Sequence, residues 1–165
     1  MGVAAYPTRH PESPSEAHDV EVLLAKQRSG ADFAITQVFF HTEQYANLIS
    51  RARRAGVTIP IIPGVMPLTS LRRVTRLGEL TGVEPAPELL ARLAAADTDS
   101  ERLRIGVRAT VDLANAALDA GAPGIHIYTF NEHQSALEVL DKLALPRQSR
   151  SGGRRSATLR RQLAS

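Results

Sequence analysis

Short apolar runs alternate four times with amphipathic helical stretches, and this rhythm limits what the chain can fold into more than any other feature. Residues 3–6 read as a first strand. A loop over 7–12 follows, and then Ser13-Pro14-Ser15-Glu16, which has the form of a capping box with proline at the first helical position. Ala17, Val20, Leu23 and Leu24 give the ensuing helix an apolar stripe, and Gly30 ends it. Residues 33–40 are the second strand. Its helix, 42–55, sets Tyr45, Leu48, Ile49 and Ala52 on one face and stops at Gly56. A third strand over 59–62 is closed by Pro63 and Gly64, and Ser70 caps a helix running through Thr81. Two further helices, 87–95 and 100–120, precede the fourth strand, 124–128; Leu103, Val107, Val111, Ala114 and Leu118 are the burying positions of the longer one. The fourth strand's helix covers 134–143.

Strands separated by helices pair in parallel with both sheet faces covered, which predicts an α/β fold built from right-handed crossovers. Two architectures remain open: a small doubly wound sheet, or part of a (β/α)₈ barrel. A complete barrel needs about 250 residues, so four βα units within 165 residues correspond to at most half of one.

Charge does not point to nucleic acid. Six of the 20 Lys and Arg residues lie after Pro146 with none of the 17 acids, so residues 1–145 hold 14 basic against 17 acidic side chains, net −3. The basicity belongs to a Ser-, Gly- and Arg-rich segment, 146–165, which reads as a disordered, solvated tail following one ordered domain over 1–145. An arginine-rich RNA or membrane contact would have composition alone behind it. No apolar run reaches about 18 residues, and the absence of cysteine removes disulfides and thiolate metal sites, which fits a cytoplasmic protein.

In either architecture ligands bind at the carboxyl ends of the strands. Tyr6 and His10 stand at the first, Gln37, Phe39 and Phe40 at the second, Pro63, Gly64 and Met66 at the third, and Tyr128, Thr129, Phe130 and Asn131 at the fourth. The chain has only four phenylalanines and three tyrosines. Tyr6, Phe39, Phe40, Tyr128 and Phe130 all fall on this edge, as a rim for a flat aromatic ligand or as the plug of a barrel mouth. Gln37 is set among Ile35, Val38, Phe39 and Phe40, where a long amide needs hydrogen-bond partners. The five histidines, His10, His18, His41, His126 and His133, lack metal-ligand spacing, and no phosphate loop or nucleophile motif occurs.

The same residues carry a family likeness. AAYPTRHPESPS at 4–15, GADFAITQVFF at 30–40, IPIIPGVMPLTS at 59–70 and GIHIYTFNE at 124–132 resemble, in order and spacing, the second half of methylenetetrahydrofolate reductase over about 3–143. The resemblance implies strands five to eight of a (β/α)₈ barrel holding FAD, which passes a hydride from NADH or NADPH to methylenetetrahydrofolate and yields methyltetrahydrofolate. It implies that Tyr6 and His10 line the FAD, that Asp19 and Lys26 contact its ribose, phosphate or adenine portion, and that Ile35 lies against it. Gln37 would hydrogen-bond the folate pterin, completing its amide with substrate, and Tyr128 and Phe130 would stand beside the pocket where folate and nicotinamide bind in turn.

Departures are visible too. Val22 and Ala25 replace polar cofactor contacts of some members. Glu132 stands where some have a folate-binding arginine, Arg73 where some have a glutamine, and Leu77 where some have a stacking aromatic. The family's catalytic glutamate lies in a Phe-Glu-Phe-Phe-Pro-Pro type segment on strand one, and an Arg-Gly-Asp segment touches the flavin after strand four; neither occurs here. The expectation is therefore a truncated chain with no catalytic residue of its own, inactive alone. Its open edge would favour a homo-oligomer or a complementary N-terminal half barrel. One half of a split enzyme and a non-catalytic folate- or nucleotide-binding half domain are the alternatives.

Overall fold

In the computed structural model, which describes residues 1–145, parallel strands alternate with helices in an α/β arrangement. The arginine-rich segment 146–165 lies outside the described residues. Strands β1 (Gly2–Ala5), β2 (Phe33–Thr36) and β3 (Ile61–Ile62) form one parallel sheet in that order, with Gly2 opposite Phe33 and Ala34 opposite Ile61. A second parallel pair joins β4 (Gly64–Val65) to β5 (His126–Ile127). The third predicted strand therefore does not end at Pro63. The chain crosses that residue and pairs again on the other side, with Pro63 O accepting from the His126 N–H and Val65 O from the Tyr128 N–H.

The interruption has a chemical cause. Proline has no N–H to give the ladder, and the next donor, Gly64 N–H, goes to the Thr36 hydroxyl at 2.9 Å. The Thr36 carbonyl is taken instead by the Tyr128 hydroxyl at 3.0 Å. A Cβ on residue 64 would lie 2.3 Å from Thr36 O and 2.6 Å from the Tyr128 ring, so glycine is what allows β2, β4 and the end of β5 to meet.

The described residues hold six helices: α1 (Glu16–Arg28), α2 (Thr42–Arg54), α3 (Leu71–Thr81), α4 (Pro87–Ala95), α5 (Asp99–Asp119) and α6 (His133–Lys142). Ser15, not Ser13, caps α1, its hydroxyl accepting from the His18 N–H; Pro14 stays outside the helix, and Ser13 is buried with its own hydroxyl donating to Ser15 O. The α1 stripe buries Val20 and Leu23, while Ala17 is exposed. On α2, Tyr45, Leu48 and Ala52 are buried as expected, and on α5 Val107, Val111 and Ala114 are, with Ala117 buried where Leu118 is only half-buried.

Strand alternation divides the sheet into two faces. Ala5, Ala34, Thr36 and Ile61 are buried toward the helices, and the three apolar ones share a cluster with Leu23, Leu48 and Val57. Each buried leucine, isoleucine or valine among them contributes about 1.5–3 kcal/mol through burial. On the other face, Ala4 is exposed and its register partners Ile35 and Ile62 are half-covered, as are Phe33, His126 and Tyr128. The second core cluster fills the space among α3, α4 and α5 with Val38, Phe40, Leu68, Val74, Leu93 and Ile105. Phe39 and Phe40 are thus core residues and not part of an aromatic rim: Phe39 is fully buried, its ring stacked on Tyr45 at 5.9 Å.

Helix α5 docks through an unusually close contact. At Gly106 an added Cβ would lie 2.2 Å from Leu68 O, and one turn later the buried Thr110 hydroxyl accepts from Leu68 N–H. Thr110 Oγ1 also stands 3.1 Å from Met66 O and 2.8 Å from Gly106 O, either of which can take its proton. These contacts fix the 66–69 segment that leads into Ser70, the cap of α3.

Candidate ligand-binding site

The loop from β1 to α1 is held by polar ties to backbone. Asp19 Oδ2 accepts from the His10 N–H at 2.9 Å, His10 Nδ1 accepts from the Glu12 N–H at 3.1 Å, and Lys26 donates from Nζ to Ala4 O at 3.0 Å. Arg51 of α2 reaches in to donate to Pro7 O and to pair with Glu16 at 3.0 Å. The result brings Tyr6, His10, Asp19 and Lys26 to the lining of one cavity of about 310 Å³, with the Tyr6 and His10 rings edge to face at 4.7 Å. Four of the five expected cofactor residues therefore share one groove. Ile35 stands apart from that lining, on the less covered sheet face opposite Ala4.

Gln37 sits just past β2 and is exposed, which corrects the expectation of a buried amide. The chain turns there: its N–H continues the ladder to Ala5 O, while Val38, Phe39 and Phe40 leave the sheet and bury themselves. The side-chain carbonyl Oε1 accepts from the Val38 N–H at 2.9 Å, and the amide Nε2 makes no hydrogen bond among the described residues. A group in this position offers two N–H donors to a ligand on the open face.

Tyr128 lies across Gly64 with its hydroxyl on Thr36 O and the His126 ring edge-on at 4.6 Å. Burial pushes its phenol above the ordinary tyrosine value, and the neighbouring Tyr6 adds to the rise. Tyr128 thereby fixes the carbonyl immediately before Gln37. Phe130 departs from this set. It is 63% exposed, has a positive φ of 48° followed by 67° at Asn131, and lines a different cavity, of about 410 Å³, with Met66, Leu77 and Leu80.

That second cavity was only partly legible from sequence. Its rim carries Arg72, Arg73 and Arg76, and Arg73 grips Glu132 with both nitrogens, at 2.7 and 2.5 Å. The hydrogen-bonded Arg73 holds the Glu132 carboxyl below the usual glutamate range, and Glu132 in turn raises the guanidinium. Two positions marked as departures thus form one contact, which only their distance in space, not their separation of 59 residues, reveals. No group of three His, Asp or Glu residues suited to a metal ion occurs among the described residues.

A family model described as methylenetetrahydrofolate reductase matches residues 1–144. The probable NADPH-linked methylenetetrahydrofolate reductase of Caenorhabditis elegans is 36% identical over 88% of this chain and 22% of its own length. The 5,10-methylenetetrahydrofolate reductase of Escherichia coli is 30% identical over 88% of this chain and 49% of its own. The chain thus spans from about a fifth to about half of these relatives. Among solved structures, a Clostridium thermocellum protein described as binding two copies of 5-methyl-5,6,7,8-tetrahydrofolic acid superposes with a TM-score of 0.55 at 17% identity, covering 86% of this chain and 51% of that one, a likeness of fold. Matched over nearly all its described length, the chain belongs to the methylenetetrahydrofolate reductase family.

Proposed function

We propose that these residues form the second half of a (β/α)₈ barrel that reduces 5,10-methylenetetrahydrofolate to 5-methyltetrahydrofolate with NADH or NADPH through FAD. The observation that carries this reading is the convergence of Tyr6, His10, Asp19 and Lys26 on one cavity at the carboxyl end of β1. The donor set suits a dinucleotide: the Lys26 ammonium, with donors left after Ala4 O, for phosphate, the second Asp19 oxygen for a ribose hydroxyl, and the Tyr6 and His10 rings for a flat surface. FAD supplies the hydride chemistry when bound, and the chain's own part is to hold and orient. Gln37 offers its amide N–H groups to the pterin, and Tyr128 holds the strand end from which Gln37 projects. The folate bound by the Clostridium protein of like fold supports the same substrate class.

Proton delivery to the folate needs an acid that the 165 residues do not match. We therefore propose that this chain alone binds without turnover, and that the half-covered Phe33, Ile35 and Ile62 face meets a complementary half barrel. The test is an assay with NADH or NADPH and methylenetetrahydrofolate, first with the chain alone and then after adding a family polypeptide that carries strands one to four. Activity only in the mixture is expected. Turnover by the chain alone would overturn the division of labour.

A further inference from the structure

The cavity between α3 and the segment Thr129 to Glu132 has walls of one kind and a rim of another. Met66, Leu77, Leu80 and Phe130 present apolar surface, and Arg72, Arg73 and Arg76 stand at its edge. Arg76 pairs with Glu79 on its own helix, Arg73 with Glu132, which lies two residues past Phe130 and lines the adjoining cavity, and Arg72 with no acid among the described residues. Such a combination is complementary to a molecule with a flat apolar body and a carboxylate end.

We propose that Glu132 is an internal competitor: its carboxylate occupies the Arg73 guanidinium that a ligand's carboxylate claims on entering this groove, so that Arg73 and Glu132 act as an exchangeable latch. Three observations support it. The contact is bidentate, the geometry a free carboxylate would use on the same arginine. Both partners keep solvent access, with side-chain exposures of 33% and 48%, so Glu132 returns to water when displaced and no charge is left buried. Finally, the segment carrying Glu132 holds Phe130 and Asn131 in left-handed backbone, unfavourable for phenylalanine, and its ties are the Glu132 N–H donating to Thr129 O, the Ser135 hydroxyl donating to Glu132 O at 3.3 Å and the Arg73 pair itself. Releasing the Glu132 side chain therefore removes the one polar tie, among the described residues, between α3 and the segment that lays Phe130 against the groove, while the ties to Thr129 and Ser135 remain. The natural ligand's identity rests on the folate reading, since folates carry a p-aminobenzoyl ring followed by glutamate.

The test is calorimetric titration of the full 165-residue chain with p-aminobenzoyl-glutamate, and with p-aminobenzamide as the form without carboxylates. The wild-type chain is expected to bind only the first. Glu132→Gln is expected to tighten that binding about tenfold by removing the competitor, and Arg73→Gln to weaken it by a similar factor. Arg73→Lys, which keeps the charge and loses the fork, should fall between. Equal binding of both probes, or an unchanged affinity in Glu132→Gln with an unchanged melting curve, overturns the latch. Tetrahydropterin without a tail separates the two ideas. If it fails to bind while the carboxylate probe behaves as described, the folate reading falls and the latch stands; if it binds while the carboxylate probe does not, the latch falls alone.

Discussion

The groove beside α1 and the groove beside α3 are built by opposite means. The first is fixed by short polar ties to backbone, from Asp19 to the His10 N–H and from Lys26 to Ala4 O. The second rests on one partly exposed ion pair and a segment with two positive φ values. A backbone tie cannot exchange with a ligand without undoing the loop, whereas an exposed side-chain pair can. The first groove is accordingly suited to a resident cofactor and the second to a ligand that comes and goes.

The largest test acts on the scaffold beneath the second groove. Gly106→Ala forces a Cβ against Leu68 O, which is backbone and cannot step aside, so α5 must shift. A loss of about 3 kcal/mol in thermal or urea denaturation is expected, with the α3 groove affected before the α1 groove. Next, Asp19→Ala leaves the His10 N–H without its acceptor and should cost about 1–2 kcal/mol, together with FAD binding measured by equilibrium dialysis. Glu132→Gln is expected to change stability by less than about 1 kcal/mol, since the pair is substantially solvent-exposed. A stability loss as large as that of Asp19→Ala would erase the contrast.

Titration sharpens it further. The Glu132 carboxyl is held below its ordinary value, so the latch's contribution is complete above the usual glutamate range and is lost as pH falls through the depressed value. Tyr45 behaves oppositely: buried, with its hydroxyl donating to Ile61 O at 2.8 Å, its pKa is pushed up to about 12 by burial. Its contribution is complete below the ordinary tyrosine value and is lost as pH rises toward 12. Acid should therefore loosen the α3 groove with the core intact, and alkali should unfold the core, as followed by proton exchange and circular dichroism.

Helices were the most legible part of the sequence, because caps such as Ser70 and stripes such as Tyr45, Leu48 and Ala52 are local signals. Strand ends were not. Residues 38–40 extend the apolar run past Gln37, yet Phe39 and Phe40 serve the core beneath the helices and Gln37 ends up exposed, a distinction that apolarity alone does not carry. The β3–β4 break depends on Tyr128 reaching Thr36 O across 92 residues. Tyr6, His10, Asp19 and Lys26, expected on one cofactor, line one cavity, and Phe130, expected beside the substrate, lines another, in a segment with two positive φ values that sequence does not announce. The Arg73–Glu132 contact joins residues that are each unremarkable in sequence, so only the fold reveals it.

The most direct measurement is the visible spectrum of the 165-residue chain eluted from a size-exclusion column after incubation with FAD, beside Lys26→Ala and Asp19→Ala. The expected result is a flavin band co-eluting with the folded wild-type chain and lost from both variants. A folded wild-type chain that elutes colourless, or variants that retain the flavin, would contradict the assignment of the α1 groove as the cofactor site.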